Sequence, residues 1–417
     1  MKKYDLAVIG GGFAGVAAAI SAARGGARVV LLEKGNSLGG AAVNCLVNPF
    51  MPNHTKLEGQ LAQLSRGLFA EIKEKLEQRG ALYIGCVFGE EELKFLLNDM
   101  VREAGVDVLF RAYLTSVRRD GDRITSLSFA TISGVIELSA DYYVDATGDA
   151  QVAFLAGCPT VLGREGDHLC QPMTLCFRVG NVDTERFGAS KAALQEAYRK
   201  ALGNGELMNP RENILVFPTT VPNVLHFNTT RVVKMDPTSV YDVSAAEMLA
   251  RDQVREVYAF MKAHAEGLEN SFLLSTAAEI GVRESRMIVG DYVLTEADCR
   301  AFRKFGDAIA ACNYDIDIHN PEGSGTSHYY FPEGEYYTIP YRSLIPTGVS
   351  NMLVAGRCIS SDHGAQASYR IMPTVCCIGE AAGSTMSLAV KGACGVRDIS
   401  VDELQDVLRQ NGGFIGI

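Results

Sequence analysis

Apolar and polar positions repeat along this chain with two periods, and the points where the period changes mark its elements. The run Tyr4-Asp5-Leu6-Ala7-Val8-Ile9 has strand length and is broken by Gly10-Gly11-Gly12-Phe13-Ala14-Gly15. An Ala-rich stretch of helical propensity, Val16 to Ala23, comes next, and Val29-Val30-Leu31-Leu32 returns to a strand that stops at Glu33. Two more apolar runs end in small-residue turns: Tyr142-Tyr143-Val144 before Asp145-Ala146-Thr147-Gly148-Asp149, and Met352-Leu353-Val354 before Ala355-Gly356-Arg357. Met372-Pro373-Thr374 then opens a helix expected over Val375 to Val390, with Gly379 and Gly383 inside it. Between these landmarks, residues 57–79 read as helices and Phe110 to Ala140 as short strands around the turn Asp120-Gly121-Asp122. Thr184 to Ala201 and Val243 to His264 are charged on one side and read as amphipathic covering helices. Tyr329-Tyr330-Phe331 and Tyr336-Tyr337 bracket Pro332-Glu333-Gly334 and predict a hairpin, or the wall of a pocket.

Strand, glycine turn, helix, strand is the order of a dinucleotide-binding unit, and each residue type has a physical reason. Gly10 permits the tight turn, Gly12 lets a pyrophosphate approach the backbone, and Gly15 lets the helix lie close on the sheet. Phe13 and Ala14 open the helix, whose N-terminal N–H groups face the anion. Glu33, followed by Lys34, stands where a carboxylate accepts hydrogen bonds from a ribose. Downstream, Gly39 and Gly40 allow the chain to pass close to a pyrophosphate or flavin edge. Pro373 suits the first turn of its helix, whose N-terminus is suited to a developing negative charge.

Together GGGFAG with Glu33, LGG at 38–40, VDATGD at 144–149, NMLVAGR at 351–357 and IMPTVCCIGEAAG at 371–383 resemble the FAD-dependent oxidoreductases of the glutathione-reductase-type nucleotide fold. More narrowly the chain is similar to a widespread bacterial family of FAD-dependent oxidoreductases, a resemblance that includes Gln171-Pro172-Met173-Thr174, Ile280 to Arg286, Asp317 to Pro321 and Ile339 to Arg342. It implies FAD as cofactor, held by Gly10, Gly12, Phe13, Ala14, Gly15, Glu33, Lys34, Gly39, Gly40, Ala146, Thr147, Gly148, Gly356, Arg357, Pro373 and Thr374. The implied fold is α/β: a discontinuous, three-layer ββα Rossmann-like FAD domain from residues 1–165 and 346–417, with an α+β substrate domain inserted at 166–345. Glycine usage agrees, because 19 of the 42 glycines fall within 1–40 and 346–417.

Composition narrows the remaining classes. Hydrophobic residues make up 47% and charged residues 21%, which is enough apolar surface for a core and excludes disorder. A net charge of −10 without a long basic run disfavours nucleic acid and anionic membranes as partners. Eleven cysteines, an odd number, suit a reducing cytoplasm. The uncharged stretch from Leu6 to Ala23 resembles a signal peptide, but Asp5, its four glycines and its passage into the next strand argue for a folded role. No HxxxH, HExxH or Cys/His cluster predicts a metal site.

The chain shows no second GxGxxG and no CxxC, so the expected reaction passes a hydride between a small polar organic molecule and flavin N5, completed by a separate electron acceptor or donor. Alternatives are a flavin-dependent reductase of activated double bonds and a flavoprotein with an RNA-modifying or redox-binding role. Proton transfer calls for His or Tyr and substrate anchoring for Arg. His363, in a loop expected beside the flavin, is the first candidate for proton transfer or substrate binding, or else a structural histidine. Arg370 is placed near the same ring for a substrate carboxylate or reduced flavin, or else paired with Asp362 or Glu380. His319, read in the polar loop Asp315 to Pro321, is the third candidate. Arg283 and Arg286 are read as sharing a helix face, with one of them reaching the active site or the FAD pyrophosphate, or else pairing with Glu279 or Glu284. Cys45, Cys376 and Cys377 read mainly as packing residues.

Overall fold

The fold is a computed structural model in which residues 3–417 are described. Its centre is a five-stranded, fully parallel sheet ordered Met352–Val354, Ala140–Asp145, Tyr4–Ile9, Val29–Glu33, Asp107–Phe110. Both faces of such a sheet must be covered, and strand alternation divides the apolar side chains between them. Leu6, Val8, Val29, Leu31, Val144 and Leu353 pack into one core under helices Phe13–Arg24, Glu90–Glu103 and Met372–Gly392. Ala7, Ile9, Val30, Leu32, Tyr143 and Val354 pack into another beneath an antiparallel sheet of Tyr113–Asp120, Arg123–Thr131 and Gly134–Leu138. The three layers, helix, parallel sheet and antiparallel sheet, are the Rossmann-like FAD architecture.

Glycine sets the closeness of two contacts. A Cβ on Gly379 or Gly383 would lie 2.1 Å from the carbonyl oxygen of Ala14 or Ala18, so the two long helices touch backbone to backbone. A Cβ on Gly15 would lie 1.7 Å from the Gly10 carbonyl oxygen, and one on Gly10, at φ +104°, would lie 2.3 Å from that of Ala146. Turn, helix and neighbouring strand therefore fit only with hydrogen at these positions.

A third core belongs to the middle of the chain. The sheet Val216–Pro218, Leu225–Phe227, Phe177–Gly180, Phe272–Thr276 is covered by helices Thr184–Gly203 and Val240–His264, with Phe177 stacked on Phe227 at 5.0 Å between centroids. This core draws its members from Leu46 and from residues 173–282. By contrast Leu294, Phe305, Cys312, Tyr337 and Ile345 pack with the helix layer of the parallel sheet, although they fall inside the segment 166–345 that the sequence groups together.

Several local expectations change. The helical reading of 57–79 holds only for Leu68–Gln78; His54–Leu57 and Gln60–Gln63 form a hairpin. Glu58 and Gly59 both take positive φ, the two-residue turn that suits the twist of paired strands. Tyr329 and Tyr337 do not pair with each other: Thr326–Tyr329 joins Ile316–His319, and Tyr337–Pro340 joins Ala308–Cys312. The polar segment around His319 is thus a strand. Arg283 and Arg286 share no helix, since Arg286 begins the strand Arg286–Ile288 and its guanidinium lies over the Phe154 ring at 4.1 Å. No helix of the described residues is long and apolar enough to cross a membrane.

Candidate active site

Parallel strands deliver their C-terminal ends to one edge, where the loops that follow meet. Gly10–Ala14, Glu33–Lys34, Gly39–Gly40, Ala146–Asp149 and Gly356–Arg357 line one crevice there. Thirteen of the sixteen residues expected to hold FAD line it; Gly15, Pro373 and Thr374 do not. Gly15 serves the helix packing described above. Thr374 is buried, accepting from Asn53 Nδ2 at 3.3 Å and donating to Cys312 Sγ at 3.5 Å, so the helix turns Met372 and Val375 to the crevice in place of Pro373 and Thr374.

The crevice suits a dinucleotide in shape and charge. Helix Phe13–Arg24 begins at Gly12 with no side-chain cap and no acid in its first turn, so its positive end stays available to an anion. A Cβ built on Gly12 would meet nothing nearer than Gly40 Cα at 3.9 Å, which leaves an open cradle. Glu33 is fixed by accepting from Gly11 N–H at 2.5 Å and Gly35 N–H at 2.6 Å. Arg357 holds Asp149 at 2.8 Å while its buried Nε has no partner. Burial pushes the Asp149 carboxyl up, but Arg357, Lys34 and the Ser285 hydroxyl outweigh it and hold it below the usual range.

A second cavity of about 390 Å³ opens beside the first. Ala41, Val282, Arg357, Arg370 and Met372 line both, so the two spaces share a wall. Its polar lining includes Asn48, Arg211, Glu212 and Arg283, then Tyr314 and the hairpin residues Asp317, His319, Thr326 and His328 of Ile316–His319/Thr326–Tyr329, and Arg370 between helices His363–Tyr369 and Met372–Gly392. Asp317 and His328 are register partners across that hairpin.

The electrostatics of His319 follow from donor chemistry. Arg231 Nη2 lies 3.1 Å and Thr326 Oγ1 3.2 Å from its Nδ1. A guanidinium only donates, so Nδ1 accepts and the ring proton resides on Nε2, 3.3 Å from Asp317 Oδ2. Burial, and next the Arg283 cation, hold its pKa well below the ordinary value despite Asp317. His319 is therefore a neutral donor whose basic nitrogen is engaged. For Asp317, burial acts upward but His319, Arg370 and Arg283 keep the carboxyl well below its usual range. Burial and Asp317 together push the Tyr314 phenol well above its ordinary value, and its hydroxyl donates to Asp317 Oδ2 at 3.2 Å.

Of the three catalytic candidates, Arg370 and His319 come together in this cavity and His363 does not. His363 lies at the start of helix His363–Tyr369 with Nδ1 2.7 Å from Oε1 of fully buried Glu284, and it lines neither space. Arg370 reaches Gln171 Oε1 at 3.3 Å and the Asp317 carbonyl at 3.2 Å, with Asp317 Oδ2 at 3.7 Å; Asp362 and Glu380 are occupied elsewhere. Arg283 enters the cavity without Arg286. Cys45 faces the crevice, but burial pushes its thiol up to about 12; Cys376 is buried in the helix packing. Sequence reasoning missed Arg211, Tyr314, Asp317 and His328 as wall residues. The alternation Asp315-Ile316-Asp317-Ile318-His319 carried the signal, since a period of two puts all three polar residues on one strand face.

A glycine-lined crevice at the carboxyl ends of a parallel sheet, joined to a polar cavity, defines a dinucleotide-dependent enzyme. The model of the family of FAD dependent oxidoreductases matches residues 5–408, and the chain belongs to that family. It is an FAD-dependent oxidoreductase, and FAD is its cofactor. No curated protein matches the sequence. Among solved structures it is similar to a geranylgeranyl bacteriochlorophyll reductase-like protein from Thermoplasma acidophilum, at 13% identity and TM-score 0.48 over 98% of this chain and 83% of that one. A p-nitrophenol 4-monooxygenase from Pseudomonas putida gives 11% identity and 0.48 over 97% and 83%. The assignment rests on the family match across the chain and not on these distant likenesses.

Proposed function

We propose that the enzyme passes a hydride between a small polar organic substrate and FAD, with the substrate in the second cavity and a separate electron acceptor or donor completing the cycle. One observation carries this reading: the nucleotide crevice continues, past Arg357, Arg370 and Met372, into a walled cavity that the nucleotide motifs do not need. Bound FAD supplies a two-electron acceptor at its N5. The chain's own residues must then bind the substrate, orient it and take or return a proton.

His319 cannot take that proton, for the reasons given, and His363 lies outside the cavity. His328 is suited to it. Its Nδ1 lies 2.5 Å from Asp315 Oδ2, so the carboxylate fixes the proton on Nδ1 and leaves Nε2 as the free basic nitrogen. The ring stacks on Tyr330 at 5.4 Å and lines the cavity while 37% exposed, with solvent as an outlet for the proton. Arg370 and Arg283 anchor an acidic group of the substrate, and Asn48 Oδ1, buried without a partner, is an acceptor for it or for the cofactor.

Anaerobic titration of the yellow holoenzyme with reduced candidate substrates tests the reading. Bleaching by substrate is the expected result; bleaching only by dithionite or a viologen, with reoxidation by an alkene, contradicts it.

A further inference from the structure

Arg211, Arg283 and Arg370 line the second cavity, and Arg231 is buried behind its Glu212, with too few carboxylates among the lining residues to neutralise them. Arg231 is 1% exposed and is shared among Glu212 at 3.2 Å, the Gly323 and Gly325 carbonyls, Thr326 and His319. Arg211, also buried, has Glu212 only at 4.0 Å and otherwise Asn213 Oδ1 at 3.2 Å and His319 Nδ1 at 3.5 Å. Among the described residues Arg283 has no carboxylate within salt-bridge distance; it donates to the Pro172 carbonyl at 2.7 Å, to Thr174 Oγ1 and to Asn228 Oδ1 at 3.4 Å. Arg370 has Asp317 at 3.7 Å, and its buried Nε donates to nothing.

Glu212 is thus taken by Arg231 and Asp317 by Arg370, which leaves Arg211 and Arg283 on the wall as two guanidiniums without a carboxylate of their own. His319 is neutral, Tyr314 stays protonated, and Asp315, which holds His328 Nδ1 at 2.5 Å, is not among the residues that line the cavity. The strain shows in the arginines themselves. Burial, then repulsion by Arg370 and Arg211, push Arg283 down to about 9; burial and Arg211 push Arg231 down to about 10. Buried charge left without a partner is costly, so such a cluster is held for a ligand that brings the missing anions. That ligand is not the pyrophosphate of the cofactor, because Arg211 and Arg283 line only the second cavity while the glycine cradle lies in the first.

We propose that the second cavity binds a small dicarboxylate, whose two charges match the excess of two guanidiniums and whose carboxylates take the free N–H groups of Arg211, Arg283 and Arg370. This rests on reading the cavity as the substrate site. Planar guanidiniums suit carboxylates because two parallel N–H donors meet two oxygens.

Calorimetric titration of the oxidised holoenzyme tests the charge requirement without turnover and with the nucleotide anion already in place. The probes are succinate, malate and adipate, with butyrate carrying one charge and succinamide none. A diacid is expected to bind at least tenfold more tightly than butyrate, succinamide not at all, and Arg283→Gln to erase the difference. Equal binding of succinate and butyrate, or no binding of any diacid, overturns the proposal. Melting of the ligand-free holoenzyme is the second readout. Arg283→Gln and Arg211→Gln should each melt higher than the parent and lose the rise that the diacid gives. If both melt lower, the arginines hold the fold together and the proposal fails. Diacid binding without flavin reduction supports this proposal and counts against the hydride reading; flavin reduction by a neutral compound that no diacid displaces does the reverse.

Discussion

The two halves of the active site are built from different materials. The crevice is made of backbone: Gly10, Gly12, Gly40 and the uncapped helix end present N–H groups and empty space, and Glu33 is held by the N–H groups of Gly11 and Gly35. Side chains make the second cavity, with Arg211, Arg283, Arg370, Asp317 and His319 converging from separate segments spread between residues 211 and 370. Backbone chemistry depends on glycine at fixed spacing and serves any dinucleotide. Side-chain chemistry is specific to one ligand and depends on tertiary packing. Substitutions in the crevice should therefore cost the cofactor, and those in the cavity should cost the substrate while FAD stays bound.

The largest effect belongs to Gly10→Val, which forces a Cβ to within 2.3 Å of the Ala146 carbonyl oxygen at a φ that valine avoids. Purified protein should be colourless or insoluble; a yellow, stable variant would break the claim that backbone closeness makes the crevice. Next in size is a control that lines neither region. Glu380, in the helix Met372–Gly392, accepts from the Leu68 N–H at 2.9 Å, and burial raises its pKa to about 7. Its folded value lies above the unfolded one near 4.5, so its contribution to stability is complete below that pH and is lost as pH rises through 7. A shift of this size corresponds to about 3 kcal/mol. Denaturant unfolding should find Glu380→Gln nearly flat between pH 5 and 8 where the parent declines, with FAD and substrate binding unchanged.

His328→Asn keeps a polar group at the cavity but removes the free nitrogen, and should slow flavin reduction by about 100-fold with FAD retained. His363→Asn should leave the rate within a few-fold, because His363 meets Glu284 outside both spaces; a greater loss in H363N than in H328N would reverse the roles assigned here. Glu33→Gln gives a smaller effect than His328→Asn, a fall in FAD affinity of about tenfold, since one of two charge-assisted bonds to backbone N–H weakens. Fluorescence of released FAD measures it.

The contrast also explains what could be read from the chain alone. Strand, glycine turn, helix and terminal acid are local, so four of the five parallel strands and the first glycine turn were legible from the chain, the rest of the crevice followed from the resemblance, and the edge strand Asp107–Phe110 was not read. Pro373 and Thr374 misled because a proline at a helix start does not say which residue of that first turn faces the ligand. His363 looked catalytic from its place in the chain, yet its partner Glu284 lies 79 residues away. The strand carrying Asp317 and His319 was hidden by its acids, although its alternation was visible. Nothing local marks Arg211 or the pairing of His328 with Asp315, since each acquires its meaning only when the hairpin meets the middle sheet.

The central claim is that substrate in the second cavity gives its hydride to the cofactor in the first. Stopped-flow reduction of the bound flavin under anaerobic conditions, with protiated and C-deuterated forms of a hydroxylated dicarboxylate, measures it most directly. The expected result is bleaching that slows on deuteration, in the parent and in the much slower His328→Asn enzyme alike. A rate indifferent to deuterium in both, or a flavin that no such compound reduces while dithionite does, would contradict it.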